Sequence, residues 1–145
     1  MHVERTFTVA RPVETVFDYL SDFSHTEDWD PGTVETVRTA GDGGVGTSYR
    51  NTSQFRGRRV ELTYETTVHQ RPTELKFRGT NASATATDWL RFTRVSDDAT
   101  RIHYRADFEF SLLIRLIAPL VIGRKLDALA DETVDTLTRA LLHQA

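Results

Sequence analysis

The chain has 145 residues, with 18 Lys+Arg against 21 Asp+Glu, a formal net charge of −3 and no cysteine. That length makes one domain with room for a real core, and 39% hydrophobic against 27% charged residues excludes a disordered chain. The absent cysteines exclude disulfides, thiolate metal sites, iron–sulfur clusters and a cysteine nucleophile, and agree with the expected cytoplasmic location.

Val3 to Val9 reads as a first strand, with Val3, Phe7 and Val9 on one face. Arg11-Pro12 opens a helix: Pro12 and Glu14 suit a first turn, and Val13, Val16, Phe17 and Leu20 follow at helical spacing. A short second helix is expected over Phe23 to Trp29, stopped by Asp30-Pro31-Gly32. The period then changes to two. Thr33 to Thr39 reads as a strand, residues 40–44 as a glycine-rich turn, and Val45 to Phe55 as the next strand. Arg59 to His69 alternates, with Val60, Leu62, Tyr64, Thr66 and Val68 on the dry face and His69 on the wet one. Glu74 to Thr80, Ala84 to Val95 and Thr100 to Phe110 complete six strands joined by short turns, which predicts an antiparallel meander.

Ser111 is placed to cap a last helical element that runs to the C-terminus with a break near Pro119. Its inner stripe is Leu126, Leu129, Ala130, Thr133, Val134, Leu137 and Leu141. Leu112 to Ile122 is the most apolar stretch. Arg115 and Pro119 interrupt it, it is too short to span a bilayer, and it reads as a buried helix. The N-terminal residues Met1-His2-Val3-Glu4-Arg5-Thr6 carry no signal-peptide pattern, and stable membrane insertion is not expected. Residues 50–105 hold 11 basic and 6 acidic side chains, residues 1–49 hold 3 and 9. The basic middle interleaves Arg with Glu and Thr, as the wet face of a sheet does, so no nucleic-acid partner is expected.

One strand, two short helices, six strands and a long helix, with Ala10-Arg11-Pro12-Val13-Glu14-Thr15-Val16-Phe17-Asp18-Tyr19-Leu20-Ser21-Asp22 and then Trp29-Asp30-Pro31, resembles the START-like superfamily. It is also called SRPBCC, or the polyketide cyclase/dehydrase and lipid-transport group. Gly44-Val45-Gly46-Thr47 and Ala99-Thr100-Arg101-Ile102 resemble its lead-ins to the third and last strands. The resemblance spans residues 1–145 as one domain. It implies an α+β helix-grip fold, with a curved antiparallel sheet of about seven strands wrapped on the long C-terminal helix. It also implies a cavity between them, and it leaves open whether any reaction is catalysed.

The inward strand parities, together with Trp29 at the end of the short helix near the expected pocket mouth, nominate a ligand-binding set: Trp29, Tyr49, Tyr64, Phe77, Asp88, Phe92, Tyr104 and Phe108. An inward tyrosine needs a partner for its hydroxyl, in the protein or in a ligand. Asp88 shares parity with Leu90 and Phe92, and Arg5 with Val3 and Phe7, so either is a candidate for the polar end of a pocket. A buried Asp88 would have a raised pKa and could move a proton, and a bulge turning it to solvent is the competing reading. Trp89 falls on the outer parity, where an exposed aromatic can mark a partner surface. His25, Asp28 and Asp30 match no metal-ligand spacing, so neither a metal nor a cofactor is expected, and the two aspartates read as solvated charges. Three functions follow: binding of a small hydrophobic molecule (a lipid, polyketide or quinone), a polyketide cyclase/dehydrase-type enzyme, or an interaction module without a ligand. A homodimer is compatible with each.

Overall fold

The computed structural model describes residues 1–55, 57–111 and 119–143. Among these, seven strands form one sheet: β1 (His2–Val9), β2 (Thr33–Ala40), β3 (Ser48–Phe55), β4 (Arg58–Gln70), β5 (Glu74–Thr80), β6 (Ala84–Ser96) and β7 (Ala99–Phe110). Strands β2 to β7 pair in sequence, all antiparallel, because short turns allow no other return. β1 pairs antiparallel with β7, so the sheet order is β1-β7-β6-β5-β4-β3-β2.

Between β1 and β2 the chain forms α1 (Val13–Ser21), a 3-10 turn (Phe23–His25) and α2 (Thr26–Trp29). The expected second helix is thus two pieces. Asp22 starts the first by accepting from the Ser24 amide at 3.0 Å. Pro12 takes the cap position of α1 rather than its first turn, with extended backbone, and its carbonyl receives the Val16 amide at 3.0 Å. β3 begins at Ser48 and not at Val45. The glycine turn reaches that far because Thr47 Oγ1 accepts the Gly43 amide at 2.8 Å. Gly41 has φ +97°, and a Cβ there would meet Thr47 Cα at 2.6 Å, so the turn needs glycine at that position.

The long helix α3 (Pro119–Leu142) packs on β1 and α2. Leu126, Ala130, Thr133, Leu137 and Leu141 of the expected stripe are buried. The Leu112–Ile122 helix reading and the Ser111 cap fall largely on residues outside those described. The Arg11 guanidinium donates to the Leu141 and Leu142 carbonyls and so closes the C-terminus of α3 with a cation. On β1, Arg5 donates from Nε to Asp131 Oδ1 at 2.8 Å, and its Nη2 lies 3.8 Å from Asp127. This corrects one expectation. Arg5 has inward parity but sits on an edge strand under α3, and two helix carboxylates draw it to the rim instead of into a pocket.

Candidate functional site

Register decides which side chains share the concave face. One row runs Tyr49, Tyr64, Gly79, Ala86, Phe108 across five strands. The next runs Thr66, Phe77, Asp88, Ala106, and a third runs Leu75, Leu90, Tyr104. All eight nominated residues are buried or half-buried, seven from the concave face of the sheet and Trp29 from the end of α2. The first row is large, large, small, small, large, and its small members shape the interior. A Cβ on Gly79 would lie 2.6 Å from Tyr64 Cζ. Tyr64 therefore lies across β5, and its hydroxyl is carried from β4 toward β6.

One end of this interior is filled. Phe23, from the 3-10 turn, has its ring 4.5 Å from Tyr64, 4.5 Å from Phe77 and 5.7 Å from Tyr49. Phe17 meets Phe92 edge-on at 5.8 Å and His69 at 5.1 Å. The Tyr49 hydroxyl is buried and makes no hydrogen bond of acceptable geometry, although Arg38 and the Phe23 backbone lie close enough to act on its pKa. Tyr49, Phe77 and Phe92 are thus packed among aromatic rings. The position of His69 is a second correction. A bulge between Thr66 and Val68 shifts the register by one, so His69 pairs with the fully buried Leu75 and turns toward Phe17.

The other end is polar. The Tyr104 hydroxyl donates to Asp88 Oδ1 at 2.8 Å, and the Trp29 ring stands edge-on to Tyr104 at 6.3 Å. Asp30 accepts from the Thr33 hydroxyl at 2.8 Å and the Gly32 amide at 3.1 Å. Burial, then the Asp30 charge, pushes the Asp88 carboxyl up to about 7, while the Tyr104 hydrogen bond pulls it back. Burial also raises Asp30. Burial and both carboxylates hold the Tyr64 and Tyr104 hydroxyls well above the ordinary phenol range. Among the described residues, neither the Tyr64 hydroxyl nor the buried Trp29 Nε1 has a hydrogen-bond partner. Asp30 and Asp88 lie deep in the protein, yet each keeps some accessible surface. Phe108 is half-buried on the same face and stacks on Phe110 at 6.1 Å.

Sequence reasoning missed Asp30, which is interior and not solvated. The available signal was Asp30-Pro31-Gly32-Thr33: an aspartate able to bond the backbone two residues on folds inward with its turn. Asp28 is exposed, as expected. His25 stacks on Tyr19 at 4.3 Å, and among the described residues no group of three or more His, Cys, Asp or Glu is placed to hold a metal. Trp89 does face outward, but its indole N–H donates to Glu74, and Arg91 covers its ring at 4.1 Å. A separate open groove of about 390 Å³ lies between Ser21-Asp22, Arg38, Gly43-Gly44 and His69, and none of the nominated residues lines it. Among the described residues no helix is long and apolar enough to cross a membrane.

A curved antiparallel sheet closed by a long C-terminal helix, with two short helices after the first strand, is a START-like (SRPBCC) domain. The chain belongs to the polyketide cyclase / dehydrase and lipid transport family, whose sequence model matches residues 1–141. Three solved structures illustrate the likeness. A protein of Thermus thermophilus has a TM-score of 0.82 at 13% identity, over 98% of this chain and 97% of that one. The Zhui aromatase/cyclase of Streptomyces sp. R1128 has a TM-score of 0.75 at 20% identity, over 98% and 91%. A START superfamily protein of Mycobacterium smegmatis has a TM-score of 0.73 at 19% identity, over 97% and 93%. At these identities the likeness is one of fold. No curated protein matches the chain.

Proposed function

We propose that the protein binds a small hydrophobic molecule in the space between the sheet and α3. The observation that carries this reading is the Asp88–Tyr104 pair. It sits deep inside, keeps accessible surface at Asp88, and faces a Tyr64 hydroxyl with no hydrogen-bond partner among the described residues. A domain folding only for stability would fill such a place with apolar side chains. The aromatic rings and Phe108 supply apolar contact, at roughly 25 cal/mol per Å² buried, and the polar groups fix orientation. Membership of a family of cyclases, dehydrases and lipid carriers supports the same reading.

A second reading has its own observation. A carboxyl poised near 7 and hydrogen-bonded to a tyrosine suits proton transfer at neutral pH, as a cyclase or dehydrase requires. The first test serves both. The purified chain is exposed to a cell extract, washed and measured by native mass spectrometry, then released under denaturing conditions. A discrete extra mass of a few hundred daltons, reduced in a Tyr64→Phe/Asp88→Asn variant, is the expected result. The bare mass under every condition contradicts the carrier reading. Turnover of a co-purified compound, lost in Asp88→Asn, selects the enzyme.

A further inference from the structure

Among the described residues, the charge at the polar end is one-sided. Asp88 feels Asp30 and Tyr104, and Asp30 feels Glu132 of α3. Tyr64 of β4 and Tyr104 of β7 feel both aspartates. Among the described residues no cation figures in the charges that act on either carboxyl. Arg5 stands opposite Tyr104 in the β1–β7 register but is held by Asp127 and Asp131. The Asp88–Tyr104 pair also leaves an acceptor open. Asp88 Oδ1 takes the Tyr104 hydroxyl, and among the described residues Oδ2 takes no hydrogen bond and the Tyr64 oxygen is unpartnered. An ammonium group brings positive charge and up to three donors and needs no acceptor in return. A ligand carboxylate would instead bring a further negative charge beside two carboxyls, against the Tyr64, Tyr49 and Thr66 hydroxyls and the Trp29 N–H as donors without a partner among the described residues.

Granted the interior binding proposed above, we infer that its polar end takes a cation: the ligand is a hydrophobic amine held by Asp88 and Asp30, and hydrophobic carboxylates are rejected. A neutral carbonyl ligand held by a protonated Asp88 is the competing chemistry, and proton linkage separates the two. An ammonium stabilises the ionised carboxyl and expels its proton, whereas a carbonyl stabilises the protonated form and draws a proton in.

The test is calorimetric titration of the full chain at pH 7 with octylamine, octanol and octanoate, each in two buffers of different ionisation enthalpy. Octylamine is expected to bind about tenfold tighter than octanol, with octanoate weakest. Because the empty-site carboxyl titrates at about 7, amine binding releases roughly half a proton. In Asp88→Asn the amine should lose its advantage while octanol binding persists. If that variant fails to fold, proton release by the unaltered chain decides. Octanoate or octanol binding at least as tightly as the amine, or proton uptake on amine binding, overturns the amine assignment and leaves interior binding standing. Binding by none of the three overturns the interior-binding reading and this inference with it.

Discussion

The two ends of the interior share rows of the same sheet and differ in what closes them. At one end Phe23 drops from the 3-10 turn between Tyr49, Tyr64 and Phe77, and Phe17 caps Phe92. At the other, Asp30, Asp88 and Tyr104 bring polar groups deep into the protein, and the Tyr64 hydroxyl feels both carboxylates. Tyr64 belongs to both: its ring packs on Phe23 and over Gly79, and its hydroxyl feels the carboxylates. The packed end stabilises the fold. The polar end costs stability, since a carboxyl held near 7 is a desolvated group beside a second carboxylate.

The largest expected effect lies at the packed end. Phe23→Ala removes a buried ring from three aromatic neighbours and should cost about 3–5 kcal/mol in urea denaturation. A loss no greater than that of a surface substitution would break the contrast between the ends.

Asp88→Asn should act in the opposite sense. The folded carboxyl titrates at about 7 against an ordinary 3.8, so the native state holds an extra proton between those values. Stability attributable to this group is therefore full below about pH 4 and falls as pH rises toward 7, by on the order of 4 kcal/mol. The asparagine variant should flatten that slope and be the more stable protein above pH 7, as urea denaturation across pH would record.

Gly79→Ala sharpens the role of Tyr64. The new methyl would collide with the ring tip, at a cost of about 1–3 kcal/mol. In a Tyr64→Leu background most of that cost should vanish, which a double-mutant cycle measures. The smallest effect is expected at the rim, where Arg5→Ala should cost about 0.2–1 kcal/mol, less in high salt, because its helix partners are exposed.

Much of this was legible in the sequence because a strand has only two faces. Leu62, Tyr64, Leu90, Phe92, Ile102 and Tyr104 point inward as parity requires, and Asp88 follows Leu90. The departures have local causes that parity does not carry. The bulge near Thr67 flips His69, and nothing in Thr66-Thr67-Val68 announces it. Arg5 keeps its face but answers carboxylates more than a hundred residues away in sequence. Asp30 looked solvated because it follows a short helix. Its bonds to Gly32 and Thr33 turn it inward, where it meets Asp88, and that meeting joins positions from α2 and β6 that only the tertiary fold brings together.

The central claim is that the polar end is a desolvated interior site and not a solvated rim. Carboxyl carbon NMR titration of Asp88 in the unaltered chain, assigned with Asp88→Asn, tests it most directly. A midpoint near 7 is the predicted result. A midpoint in the ordinary carboxylate range, near 3.8, would place Asp88 in water and contradict the account.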